Sequence, residues 1–189
     1  GHPEVPKEGH TGNPPLSVRG MEHARLAGAA LQNENIDRIY SSGMKRADST
    51  AQPLADALGL SIEIHPHLGE VDRCGGKYGS FDSIRQKGPE EWQRFMAAPL
   101  AYYGVEPDRF RSETLAAFRT LIETAGDQVI AVFTHGFPIN IILAHALGLQ
   151  HDALFRPTFG SITRITGTDF NALTVLSINE SGHIPKGIT

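Results

Sequence analysis

The uninterrupted apolar run at residues 129–133, inside "DQVIAVFTHGFP", constrains the fold of this chain more than any other stretch. A strand with one face in water would alternate apolar and polar residues. This one does not, so it reads as a strand buried on both faces, the pattern of a parallel sheet covered by helices on either side. Thr134, His135 and Gly136 end it abruptly, and Pro138 falls in the first turn of the helix expected next, "FPINIILAHALGL".

The rest of the chain repeats that alternation. Residues 17–32 have helical spacing with Ser17 as N-cap. "IDRIYSS" reads as a short strand. "KRADSTAQPLADALGL" reads as a helix bent at Pro53 and stopped by Gly59, and "SIEIHPH" as a strand ended by Pro66. "LGEVDRCGGKYGSFDS" is glycine-rich and reads as a loop; two helices follow it, "GPEEWQRFMA" and "DRFRSETLAAFRTLIETAG". Two late strands, "SITRIT" and "ALTVLSI", complete the pattern. Strands alternating with helices imply an α/β fold, a three-layer sandwich with a mostly parallel sheet, and one domain over residues 1–189. Such folds begin with a buried strand, yet residues 1–16, "GHPEVPKEGHTGNPPL", are turns and prolines. They read as a loop hanging from a first strand that these residues do not include.

Composition removes several function classes. A net charge of −4 gives no footprint for nucleic acid. No apolar run approaches the ~18 residues of a membrane-spanning helix, so no membrane partner is expected. One cysteine, Cys74, allows no internal disulfide and suits a reducing, cytoplasmic setting. Nine histidines raise the possibility of a metal site. However, the chain has no paired cysteines and no His-x-x-x-His on a helix, and Pro66 stiffens His65 and His67, so neither metal nor cofactor is expected.

In open α/β sheets ligands gather beyond the carboxyl ends of the strands. Three strands here lead to reactive side chains: "IYSS" to Arg46, "IEIHPH" to Glu70 and "VIAVFT" to His135. A cation in the first turn of a helix opposes the helix dipole, so Arg46 makes best sense with an anion at that terminus, although a solvated surface arginine is about as common. His135 could be a core histidine bonded to a carbonyl, but Gly136 beside it favours close approach of a ligand. Glu70 is either a solvent-facing loop carboxylate or, if partly desolvated, a proton donor.

These residues sit inside a wider likeness. "GHPE", "HTGNPPLSVRGMEHA", "IYSSGMKRADSTA", "HLGEVDRCGGKYG" and "VFTHGFPI" together resemble, in order and over nearly the whole chain, the motifs of the histidine phosphatase superfamily, which includes cofactor-dependent phosphoglycerate mutase. The resemblance implies a phosphoglycerate mutase-like fold and makes Arg46 the phosphate-binding arginine, Glu70 the acid and His135 the second histidine. It places Gly1, Thr11, Gly12 and Gly136 against the substrate. The arginine and nucleophilic histidine of the family's Arg-His-Gly signature are then expected immediately before Gly1, on that first strand. His2, in a degenerate Gly-His-Pro, is the lesser alternative.

The function implied is a phosphomonoesterase of histidine acid phosphatase type, metal-independent, acting on a small phosphorylated substrate through a phosphohistidine intermediate. Compactness favours a phosphatase over a phosphoglycerate mutase. A non-catalytic phospholigand-binding module is the further alternative. Arg73 is a candidate for a second anionic group, though a solvated loop arginine is at least as common; residues 85–108 with Trp92, Phe95, Tyr102 and Tyr103 are expected to cap the pocket, with Trp92 and Phe95 as plain core residues the commoner outcome, and oligomeric state is left open.

Overall fold

A computed structural model describes residue 3 and residues 12–74 and 81–185. Gly1, His2 and Thr11 lie outside the described residues.

Three strands, β1 (Arg38–Ser41), β2 (Ile62–Ile64) and β3 (Ile130–Phe133), form a parallel sheet in the order β2-β1-β3. Consecutive residues of central β1 point to opposite faces. Ile39 packs with Ala51, Leu54 and Ala55 of helix α2 (Lys45–Leu58), whereas Tyr40 joins Phe118 and Leu121 of α6 (Pro107–Ala125) and Ile142 of α7 (Gly136–Ala146). The sheet is therefore sandwiched between two helical layers, and α1 (Val18–Leu31) lies against α2. The caps follow the sequence: the Ser17 hydroxyl accepts from the Gly20 amide at 3.1 Å, and Gly59 ends α2 in the left-handed region at φ 66°.

Of the glycine-rich stretch, residues 75–80 lie outside the described residues, and helical turns stand on either side of them. Residues Val71–Cys74 form a 3₁₀ turn, and α3 (Phe81–Gln86) begins at Phe81. Helix α4 (Pro89–Ala97) and the short α5 (Pro99–Tyr102) then build an aromatic cluster around the fully buried Phe95.

One expectation changes. Strand β3 is only half-buried rather than enclosed on both faces. Among the described residues it pairs with β1 alone, and β4 (Ile162–Thr166) pairs only with β5 (Thr174–Glu180), as an antiparallel ladder. Between β3 and β4 runs a cavity of about 990 Å³ lined by residues 129–137 and 156–167.

Candidate active site

The chain leaves β1 toward β2 on one side and toward β3 on the other, so the gap between β1 and β3 is a topological switch point, where the loops at the strand ends diverge. Ser42 follows β1 and His135 follows β3, and the two meet there: Ser42 Oγ lies 2.8 Å from His135 Nε2. Both side chains are buried. Burial holds the His135 imidazole well below its usual range, and the nearby Arg46 cation pushes it the same way, so the ring is neutral at physiological pH.

Arg46 sits in the first turn of α2 and is only 3% exposed, so it is no solvated surface arginine. Its two outer nitrogens donate to Asp72, Nη2 to Oδ1 at 2.9 Å and Nη1 to Oδ2 at 3.2 Å. Asp72 Oδ2 also accepts from the Asn13 amide at 2.9 Å, and the Asn13 side chain accepts from the Lys45 amide at 2.8 Å, capping α2 from 32 residues away. Gly12 lies hard against this network. A Cβ there would stand 2.7 Å from that of Asp72, so Gly12 packs on the carboxylate that grips Arg46.

Glu70 reaches the same place from the loop after β2. Its Oε2 accepts from the Phe137 amide at 3.3 Å and its Oε1 from the Val71 amide at 3.1 Å, so this carboxyl caps the N-terminus of α7, where His135 provides no side-chain cap. Burial pushes its pKa up to about 7, with Arg46 opposing and Asp72 assisting. Gly136 occupies the first position of α7, where an added Cβ would meet Glu70 Oε2 at 3.4 Å, an ordinary contact. Arg46, Glu70, His135 and Gly136 all line the cavity.

A profile of the histidine phosphatase superfamily (branch 1) matches residues 1–180. The chain belongs to this superfamily. Phosphoserine phosphatase 1 of Hydrogenobacter thermophilus is 26% identical over 73% of the chain and 67% of its own length. The probable phosphoglycerate mutase GpmB of Yersinia pestis is 27% identical over 74% and 66%. The chain thus spans about two thirds of these relatives. Among solved structures, a mutant phosphoserine phosphatase of Entamoeba histolytica in complex with phosphoserine superposes with a TM-score of 0.74 over 93% of the chain and 89% of its own, at 17% identity. The fold is that of the histidine phosphatases.

For this member of the superfamily, two expectations need correction. Arg73 is committed to structure: its Nη1 donates to the carbonyls of His67 and Gly69, its Nη2 faces Glu113, and its guanidinium covers the Phe110 ring at 4.0 Å. Tyr102 and Tyr103 do not cap the cavity, and Trp92 and Phe95 take the core role that is the commoner alternative for them. All four pack with one another behind Phe137, while Phe81, Val71 and Phe137 form the wall.

The sequence reading missed Ser42 and Asp72. The paired serines closing "IYSS" were a signal for Ser42, since a hydroxyl at a strand's carboxyl end faces the ligand region. Asp72, two residues from Glu70 in an irregular stretch, gave none. Among the described residues no group of three His, Cys, Asp or Glu side chains could hold a metal ion, and no helix is long and apolar enough to cross a membrane.

Proposed function

We propose that this chain carries the site of a phosphomonoester phosphatase working through a phosphohistidine. The observation that supports it most is the position of Glu70. Its carboxyl is still substantially protonated near neutral pH, and it lines one cavity with the buried Arg46 and the neutral His135. In the first step an imidazole nitrogen forms a bond to phosphorus as the ester P–O bond breaks, and Glu70 gives its proton to the leaving oxygen. Water then attacks phosphorus, the P–N bond breaks, and the Glu70 carboxylate takes the water's proton. Arg46 holds the phosphoryl oxygens with charge-assisted bonds, and the neutral His135 ring, its plane fixed by Ser42, donates an N–H to them.

The attacking histidine and its arginine we place on a strand preceding Gly1, in the channel between β3 and β4. Both channel edges lack a further strand partner among the described residues. Pro3 bridges to Leu16 beside the start of α1, and α1 contributes Arg19 and His23 to the same cavity. A strand entering there parallel to β3 would end beside His135.

Release of inorganic phosphate from para-nitrophenyl phosphate by the intact protein, abolished in His135→Ala, tests the reading. Binding of phosphate without turnover would contradict it. Phosphoglycerate isomerisation is the second reading, motivated by the relative named as a probable mutase. An assay for that isomerisation separates the two.

A further inference from the structure

Helix α7 does more than present His135. Its Asn140, fully buried one turn in, uses its whole amide on fixed backbone: Nδ2 donates to Gly136 O at 2.8 Å and to Phe155 O at 3.0 Å, and Oδ1 accepts from the Phe155 amide at 3.0 Å. This double hold on Phe155 fixes the next residue, Arg156, relative to the start of α7. Arg156 lines the cavity that also holds His135 and Glu70, and is 56% exposed at the side chain. Opposite it stands Asp82, 74 residues earlier, whose carboxylate accepts from Arg156 Nη1. Asp82 is itself anchored to the site's wall. Its neighbour Phe81 meets the Phe137 ring edge-on at 5.7 Å, and the Phe137 amide is the one that holds Glu70. A short chain of contacts therefore links the Arg156 guanidinium to the proton donor.

An exposed ion pair of this kind contributes little to stability. A fully buried asparagine spent on placing one of its members is hard to explain as support for that pair alone. The guanidinium fork matches a carboxylate, and Asp82 shows that a carboxylate fits there.

We propose that Arg156 is a specificity-determining residue of the site. It engages a carboxylate carried by the substrate a few bonds from its phosphoryl group, and Asp82 stands in for that carboxylate when no substrate is bound. The site thus prefers acidic phosphomonoesters to otherwise identical neutral-tailed ones. This inference rests on the cavity being the phosphomonoester site.

Two probes differing only by a carboxylate, O-phosphoserine and phosphoethanolamine, test it by titration calorimetry on the intact protein. The wild-type protein should bind phosphoserine about tenfold more tightly, the worth of one charge-assisted hydrogen bond. Arg156→Gln should bring the two affinities together, and Arg156→Lys should retain part of the preference. No preference in the wild-type protein, binding of neither probe, or a preference that survives Arg156→Gln would overturn the proposal. Because the readout is binding, absent turnover would count against the phosphatase reading and leave this comparison intact.

Discussion

The carboxylate of Asp72 holds the guanidinium of Arg46 with both oxygens, at 2.9 and 3.2 Å, and neither side chain reaches solvent appreciably. This carboxylate neutralises the buried guanidinium, and breaking a buried pair by removing one partner is costly. Asp72→Ala should therefore destabilise the protein by about 3–5 kcal/mol in denaturant unfolding. Because phosphate can replace the missing carboxylate, millimolar phosphate should raise the unfolding midpoint of the variant more than that of the wild type. Equal increments in both would show that Arg46 does not take up the anion.

Glu70 ties pH to both rate and stability. Its carboxyl is raised from 4.5 to about 7 in the folded protein, so the folded state binds more protons than the unfolded chain between those values. Stability from this group is greatest at low pH and falls as pH rises to about 7. The full loss corresponds to about 3 kcal/mol. Glu70→Gln should thus be more stable than wild type at pH 8 and gain little at pH 5. In turnover, kcat should decline as pH rises through about 7, and Glu70→Gln should lose that limb along with about a hundredfold in rate.

His135 acts with the opposite sign on the acid side. Its imidazole is held well below 6.5, so the unfolded chain takes up a proton that the folded protein refuses, and stability falls as pH drops below about 6.5. Removing its partner in Ser42→Ala frees the ring. We expect about a tenfold lower kcat together with a loss of about 1–3 kcal/mol in unfolding free energy, because the His135 ring and the Met44 amide both lose this hydroxyl. A variant with unaltered kinetics would show that Ser42 does not orient the ring.

Asn140→Ala should release the segment carrying Arg156. With three buried hydrogen bonds lost, unfolding free energy should fall by about 1–3 kcal/mol, and the preference for acidic over neutral phosphomonoesters should shrink with it.

What the sequence displayed and what it hid differ in kind. The run at residues 129–133 and the proline after His135 announced β3 and α7 because both signals are local. The same applies to Gly59, which closes α2 at a left-handed backbone angle that glycine adopts without steric cost and other residues rarely take. Ser42 and Asp72 were hidden because their importance arises from partners 93 and 26 residues away. Arg73 misled for the same reason: a loop arginine looks available until Phe110 and two carbonyls are folded against it. The aromatic residues at 92–103 carry no sign of which way they face, and they turned inward around Phe95.

The central claim is that a phosphoryl group is carried on a histidine beside Arg46, Glu70 and His135. The direct measurement is to quench the intact protein during turnover of a ³²P-labelled phosphomonoester and recover the protein. The account predicts label bound to protein, lost in acid and stable in alkali. Turnover with no protein-bound phosphate, or with label that survives acid, would contradict it.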